Sequence, residues 1–324
     1  MTDHYRRELL AHCYRMLGSV HEAEDLVQET YLRGWRAYHS FEGRSSLRTW
    51  LYRIATNACL NALDSRSRRP LPTGLGSPSA DPTEPLVADA EVPWLEPVPD
   101  DMVGATAGDP AAIVTARESV RLALVGALQH LPPRQRAVLL LREVLAMPAA
   151  EVAEVLDTTV AGVNSSLQRA RTTLDRAGLT EADVVEPAEP ELRRVLDTYA
   201  TAMERKDIPA LVSLFTADAV WEMPPFVGWY QGGPQIGRLT EVACPAGPGG
   251  LRLLPTGANG QPAFGMYMLA EDGLFHAFQL HVLTVSRTGI SHVAAFHAPS
   301  LFPLFDLPMA VGSDGHAVPV PRRS

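Results

Sequence analysis

Phe41-Glu-Gly-Arg-Ser-Ser-Leu-Arg-Thr-Trp-Leu-Tyr-Arg-Ile-Ala-Thr-Asn-Ala-Cys-Leu-Asn61 carries two helical stripes at once. Leu47, Trp50, Leu51, Ile54 and Ala58 recur at the spacing of one buried helix face. Arg53, Asn57 and Asn61 follow every fourth residue on a different face, so one guanidinium and two amides line up together. Guanidinium groups hold phosphates, and Asn pairs with base edges, which an unstacked single strand leaves readable. The run continues into Arg66, Arg68 and Arg69. Taken alone, the segment is equally an Arg-rich surface helix.

The chain has 324 residues, more than one hydrophobic core usually serves, and two or three domains are expected. Its net charge of −9 looks wrong for a nucleic-acid partner until it is divided along the chain. Residues 1–69 hold 11 basic and 8 acidic side chains, and residues 117–178 hold 8 and 6. Residues 70–116 hold 8 acidic side chains and no Lys or Arg. Charge acts over about 8 Å at physiological salt, so the two mildly basic blocks are the ones assigned to DNA. Their small excess predicts weak DNA binding without a larger partner. No apolar run approaches the roughly 18 residues of a membrane span, and no apolar signal segment follows His4, Arg6, Arg7 and Glu8. The expectation is a soluble cytoplasmic protein with no membrane contact. Cys13, Cys59 and Cys244 form no C-x-x-C pair, which argues against a disulfide framework or a Cys-based zinc site. Neither a metal nor a cofactor is expected.

Between residues 70 and 116, Pro70, Pro72, Pro78, Pro82, Pro85, Pro93, Pro97, Pro99 and Pro110 alternate with Gly, Ser and acidic residues. Prolines this dense leave few packed elements, and one reading is a solvated acidic linker. The other reading starts from Trp94 and Leu95, an apolar pair whose burial, worth a few kcal/mol, would pin the linker to a surface. From 117 to 178 helical periodicity returns. Val152, Val155 and Leu156 form a short helix, Asp157-Thr158-Thr159 supply turn and cap oxygens, and Val163, Leu167, Ala170 and Leu174 form a second buried stripe. This is a helix-turn-helix pattern, with Asn164, Ser165, Gln168, Arg169 and Arg171 left outside to read bases or hold phosphates.

From Glu191, two amphipathic helices precede strand-like runs at 219–223, 263–270, 274–286 and 290–296, an α+β order. Alternation along 274–286 puts Phe275, Ala277, Gln279, His281 and Leu283 on one face. With Trp221, Met223, Phe226 or Trp229, Gln279 and His281 would line an apolar cavity for a small ligand. Each His also has a structural reading as a hydrogen-bonded core residue. No Asp or Glu lies between Gly273 and Phe305, and Glu222, the nearest acid, is expected at a strand edge.

Glu22-Ala-Glu-Asp-Leu-Val-Gln-Glu-Thr-Tyr-Leu-Arg-Gly-Trp35, followed by Phe41-x-Gly-x-Ser-Ser and Thr49-Trp-Leu-Tyr-Arg-Ile-Ala-x-Asn57, resembles region 2 of an extracytoplasmic-function sigma factor. Leu131-Pro-Pro-Arg-Gln-Arg-Ala-Val-Leu-Leu-Leu-Arg-Glu143, Ala153-Glu-Val-Leu156 and Val163-Asn-x-x-Leu-x-Arg-Ala-Arg171 resemble sigma region 4. Ala200-x-Ala-Met-Glu-Arg-Lys-Asp-x-x-Ala-Leu-x-x-Leu-Phe-x-x-Asp-Ala-Val-Trp-Glu-Met-Pro-Pro225 is similar to SnoaL-like domains, which have the cone fold of the nuclear transport factor superfamily.

The resemblance implies two all-α sigma domains plus an α+β cone domain. The expected boundaries are 1–69 (region 2), 70–116 (linker), 117–178 (region 4), 187–310 (SnoaL-like domain) and 311–324 (tail). It implies that Asp25, Gln28 and Glu29 dock on core RNA polymerase. Arg53, Asn57 and Asn61 would hold the opened promoter strand, and the outward residues of the helix-turn-helix would contact a more distant promoter element. Related cyclases use a pocket acid, so its absence here argues for a regulatory module, not an enzyme, one that touches region 2, the linker or polymerase. Two alternatives stand beside this: a polymerase-independent helix-turn-helix regulator, and a bifunctional protein whose C-terminal domain binds or turns over a small molecule.

Overall fold

A computed structural model describes residues 5–41, 43, 45–64, 68–79, 81–103, 119–176 and 188–318. Arg66, the end of the linker with Pro110, and the last residues of the tail lie outside the described residues. The chain forms two compact units. One comprises Met1–Pro70 with Leu95–Ala182, the other Leu71–Trp94 with Asp183–Ser324.

The first unit is helical. Helices α1 (Arg6–Leu17), α2 (Val20–Ala37) and α3 (Leu47–Leu63) pack together. Ser19 and Ser46 cap α2 and α3 by accepting the backbone N–H of Glu22 and Thr49, which satisfies donors that the helix cannot. The buried side of α3 is wider than the expected stripe. Leu51, Tyr52, Ala55, Thr56, Ala58 and Cys59 are buried, whereas Leu47, Trp50 and Ile54 are half-buried. The reason is that α3 packs on two neighbours: Tyr52 and Thr56 meet His12 of α1, while Leu51, Trp50 and Ile54 close around Gly34 of α2.

The linker enters this unit at Leu95, after a short interval α4 (Asp100–Val103) and the segment Leu122–Leu128 (α5) follow. Then come α6 (Pro133–Leu139), continued by one wider turn over Leu140–Val144, α7 (Ala149–Val155) and α8 (Val160–Arg176). Leu95 has no exposed surface. It lies where α1 ends at Gly18, whose backbone is left-handed (φ 72°) and whose missing Cβ would sit 2.7 Å from Leu95 Cδ1. Glu96 completes the anchor. Its Oε2 accepts from Ser19 Oγ (2.8 Å) and the Val20 N–H (3.0 Å), so a carboxylate sits at the positive end of α2. Its N–H donates to Gly18 O (2.9 Å), and Tyr14 donates its hydroxyl to Glu96 O (2.7 Å).

Two buried guanidiniums tie the segments of this unit together. Arg15 of α1 donates to Ser119 O (3.1 Å) and Ser119 Oγ (2.6 Å). Arg136 of α6 donates to Met16 O, to Gln129 Oε1 (2.8 Å) and O (3.2 Å), and to Leu131 O (3.2 Å). Burial lowers the pKa of each to about 10, which leaves both charged at neutral pH. A buried cation is tolerated because carbonyl oxygens surround it.

The second unit is a sheet with helices. Helices α9 (Glu189–Arg205) and α10 (Ile208–Ser213) precede β1 (Phe215–Glu222) and β2 (Trp229–Gln231); α11 (Gly233–Ala243) follows. Strands β3 (Leu251–Ala258), β4 (Gln261–Leu269), β5 (Phe275–Ser286), β6 (Gly289–Phe296) and β7 (Ala310–Val311) complete the sheet. Its order is β2-β1-β6-β5-β4-β3, with β7 on β5. Only β1 and β6 run parallel. Sequence patterning found β1, β4, β5 and β6 but not β2, β3, α11 or β7. Ordered structure also continues beyond 310, since Val318 donates its N–H to Ala310 O.

The linker is not solvated along its length. Residues 71–94 belong to the second unit: Thr73 N–H donates to Glu222 Oε2 (2.9 Å), Ser79 N–H to Trp229 O (2.7 Å) and Asp89 N–H to Pro225 O (3.0 Å). Trp94 and Leu95, expected to dock as a pair, fall in different units. The Trp94 indole N–H donates to Asp89 O (2.9 Å), inside the linker itself.

Replacing Leu95 with Ala empties a fully buried site next to a Cβ-free residue. The expected cost is about 2–4 kcal/mol, read as a lower urea midpoint for the first unit. An unchanged midpoint would show that Leu95 does not anchor the linker.

Candidate nucleic-acid interface and a cavity in the second unit

On α3, Arg53, Asn57 and Asn61 are all exposed, in one row along the helix. Behind them the packing of Leu51, Tyr52, Ala55 and Cys59 fixes the helix in place. Arg48, one turn earlier, is held by Glu8 (2.8 Å) and lies over the Tyr52 ring, and so is not part of that row.

Asp25 and Gln28 are exposed on α2, and Glu29 is half-exposed in an ion pair with Arg33 (2.7 Å). The same helix carries a feature that sequence reading passed over. Leu32 and Trp35 on the helix, and Tyr38 just after its last residue, stand 58%, 71% and 50% exposed, three large apolar side chains in succession. Large apolar side chains left this exposed, while Val20, Ala23, Val27 and Gly34 on another face of the helix are buried, suit a contact surface. Its signal was present, an apolar i, i+3, i+6 repeat, but only burial separates an outward repeat from a core one.

The helix-turn-helix is formed by α7 and α8. Thr159 caps α8 by accepting the Gly162 N–H (3.1 Å), and Val163, Leu167 and Ala170 are buried. Asn164, Ser165, Gln168, Arg169 and Arg171 are all exposed. Arg169 donates to Ser165 Oγ (2.6 Å) and Ser166 Oγ (3.0 Å), which lays its guanidinium along the helix. Arg171 is paired with Glu143 (2.6 Å), so a phosphate at Arg171 must compete with a carboxylate.

The second unit holds a cavity of about 40 Å³. Leu86, Met203, Trp221, Met223, Met266 and Phe278 supply apolar walls, with Thr240, Gln279 and His297 among the polar lining. Of the four expected cavity residues, Trp221 and Gln279 line it, while Glu222 and His281 do not. Phe226 and Trp229 are not in its lining either.

Two corrections follow. Glu222 is not at a strand edge: β1 lies between β2 and β6, and the Glu222 carboxylate is fully buried, accepting from Thr73 N–H and from His292 Nε2 (2.7 Å). The face assigned to β5 is also broken. Met266 pairs with Gln279 but Tyr267 pairs with Ala277, so Phe278 is an extra residue in the ladder. This bulge reverses the alternation, and Phe275 and Ala277 point opposite to Gln279, His281 and Leu283. Periodicity alone does not reveal a bulge.

Behind the cavity wall runs a hydrogen-bonded chain. Tyr199 Oη meets His281 Nδ1 (2.7 Å), His281 Nε2 meets Gln279 Oε1 (2.9 Å), and Gln279 Nε2 meets His297 Nε2. The Gln279 carbonyl can only accept, so His281 carries its proton on Nε2 and Tyr199 donates to Nδ1. Burial depresses His281 to about 3 and His297 to about 4. Both imidazoles are neutral at physiological pH. No Asp, Glu, Lys or Arg lines the cavity among the described residues.

Sequence comparison places the chain in a known class. A profile of Sigma-70 region 2 matches residues 1–69, and a profile of Sigma-70 region 4 matches residues 121–174. The chain is 59% identical over 309 residues to the ECF RNA polymerase sigma factor SigG of Mycobacterium tuberculosis, spanning 95% of this chain and 83% of SigG. It is 32% identical over 242 residues to SigJ of the same organism, spanning 72% of this chain and 69% of SigJ. The crystal structure of Mycobacterium tuberculosis SigJ matches with a TM-score of 0.60 and 25% identity, covering 94% of this chain and 97% of SigJ. The chain belongs to the ECF RNA polymerase sigma factors. Its second unit is the SnoaL-like cone domain expected from Ala200–Pro225. No helix among the described residues is long and apolar enough to cross a membrane.

The neutral imidazoles have a pH consequence. His281, His297 and the buried His12, depressed to about 3, take up protons at about pH 6.5 only when unfolded. Stability is therefore full above about pH 6.5 and is lost as pH falls towards 4, by at most about 1.4 kcal/mol per pH unit for each group. Urea midpoints from pH 7.5 to 4.5 should fall accordingly, and the His281 imidazole resonances should not titrate above pH 5. Titration of His281 near pH 6.5 would contradict its burial in the chain from Tyr199.

Proposed function

We propose that this protein delivers core RNA polymerase to promoters and opens them, with α2 docking on polymerase, α3 holding the melted strand and α8 reading a more distant element. The observation that carries this is the exposed row Arg53, Asn57 and Asn61 on a rigidly packed helix, in a chain of the ECF sigma family. Guanidinium and amide groups four residues apart suit a strand whose phosphates and base edges are both accessible. On α2, Asp25, Gln28 and Glu29 steer the encounter, and the exposed Leu32, Trp35 and Tyr38 supply apolar contact area. On α8, Asn164 and Gln168 suit base edges, and Arg169 and Arg171 suit phosphates.

The second unit acts as a regulator of the first, in this reading, because it holds residues 71–94 of the linker that joins regions 2 and 4. Turnover is disfavoured: Glu222 is engaged by Thr73 and His292, and His281 by Tyr199 and Gln279. A buried acid already bound by two donors has no access to a substrate proton.

Asn57→Ala is expected to leave core-polymerase affinity unchanged while abolishing permanganate-detected strand opening at a cognate promoter. Trp35→Ala should do the reverse, lowering polymerase affinity by about ten-fold or more. If Asn57→Ala weakens polymerase binding instead, the two faces have been exchanged. At physiological salt the isolated protein should shift duplex promoter DNA only weakly, whereas tight binding without polymerase would favour an ordinary helix-turn-helix regulator.

A further inference from the structure

The outward side of α8 divides into groups held by the protein and groups that project. Arg169 lies along the helix on Ser165 Oγ (2.6 Å) and Ser166 Oγ (3.0 Å), which also commits the Ser165 hydroxyl. Arg171 gives both Nε (2.7 Å) and Nη2 (2.6 Å) to Glu143 Oε1. Asn164 and Gln168 stand exposed four residues apart. Four residues before Asn164, the same spacing reaches Val160, the first residue of the helix.

Val160 is 45% exposed, whereas Val163 and Leu167 of the same helix are buried and Leu174 is half-buried. A single exposed valine is ordinary on a protein surface. This one is set apart by its place, at the end from which the second helix of a helix-turn-helix reaches base edges. Its neighbours are small: Ala161 is exposed, and a Cβ on Gly162 would lie 2.8 Å from Thr158 Oγ1, so the turn favours glycine there. No bulky side chain next to Val160 in the chain holds a groove floor away from it. The row therefore reads isopropyl, amide, amide. In the major groove an amide pairs with adenine, and the 5-methyl group of thymine is the apolar feature that a branched aliphatic side chain fits. Members of the row are about 6 Å apart, and a duplex advances about 3.4 Å per base pair, so Val160 and Asn164 meet pairs about two steps apart.

We propose that Val160 is a specificity-determining residue of region 4, which packs on the 5-methyl group of one thymine in the distant promoter element, about two base pairs from a base read by Asn164. This rests on α8 as the promoter-reading helix and adds to it a contact of different chemistry. The contact uses no hydrogen bond. It distinguishes thymine from deoxyuridine, whose hydrogen-bonding edges are the same and which the two amides therefore cannot tell apart.

The test uses the holoenzyme, the full-length protein on core RNA polymerase. It selects duplexes from a library randomised over the upstream promoter element, and each thymine of the selected element is then replaced singly by deoxyuridine. One replacement should weaken wild-type binding about four-fold, the effect of one buried methyl group. Val160→Ala should bind the thymine duplex about four-fold more weakly and lose the deoxyuridine penalty at that position, the coupling expected of a direct contact. Selection with this variant should relax that position and keep the others. The position is exposed and alanine is the stronger helix former, so the variant folds. The proposal is overturned if the wild-type element contains no fixed thymine, if no deoxyuridine replacement weakens binding, or if the penalty is equally large in Val160→Ala. Asn164→Ala and Gln168→Ala separate its failure from that of the reading beneath it. If they relax fixed positions while Val160→Ala changes nothing, the thymine contact alone falls. If all three variants select the wild-type element, α8 does not read the promoter and both fall.

Discussion

The anchor of Leu95 and Glu96 on the start of α2 is the interaction on which the rest of the first unit depends. Gly18 ends α1 without a side chain, Leu95 fills the space so vacated, and Glu96 supplies a carboxylate to the amide groups of Ser19's helix. A linker otherwise too rich in proline and charge to fold by itself thereby acquires a fixed point in the first unit. From that point the chain continues through Val98 and Val103, both buried, towards region 4. The helix receiving this cap is the one that bears Asp25, Gln28, Leu32 and Trp35. Linker position and the geometry of the proposed polymerase surface are therefore coupled through one helix terminus.

Buried cations carry the same logic deeper. Arg136 of α6 in region 4 donates to Met16, Gln129 and Leu131, and Arg15 of region 2 reaches Ser119. Desolvating each guanidinium offsets much of what the surrounding carbonyls return, whereas removing either side chain would leave those carbonyls without their donors. Any state in which regions 2 and 4 separate must first rehydrate both.

The exposed polar rows proposed to meet DNA were legible in the amino-acid pattern. Arg53, Asn57 and Asn61 stand out because a four-residue repeat of polar donors beside an apolar stripe has few uses, and the residues of α8 stand out for the same reason. The exposed trio on α2 was not legible, since an apolar repeat normally means core. On β5, a single bulged residue at Phe278 moved Phe275 and Ala277 to the other face. Glu222 went astray because strand order is a long-range property: nothing near Glu222 in the chain says that β6 will lie beside β1.

Helix periodicity, capping residues and the composition of the linker are local, and the sequence by itself determined them: the helices of the first unit, the polar rows of α3 and α8, and a proline-rich tether between two helical parts. The tertiary structure alone decided where that tether goes. Residues 71–94 complete the cone domain through Thr73, Ser79 and Asp89, and Leu95 and Glu96 complete the helical unit. The neutral histidine chain behind the cavity wall likewise exists only in the folded state. Backbone donors and buried side chains find partners across more than a hundred residues of sequence, and no local rule encodes such distances.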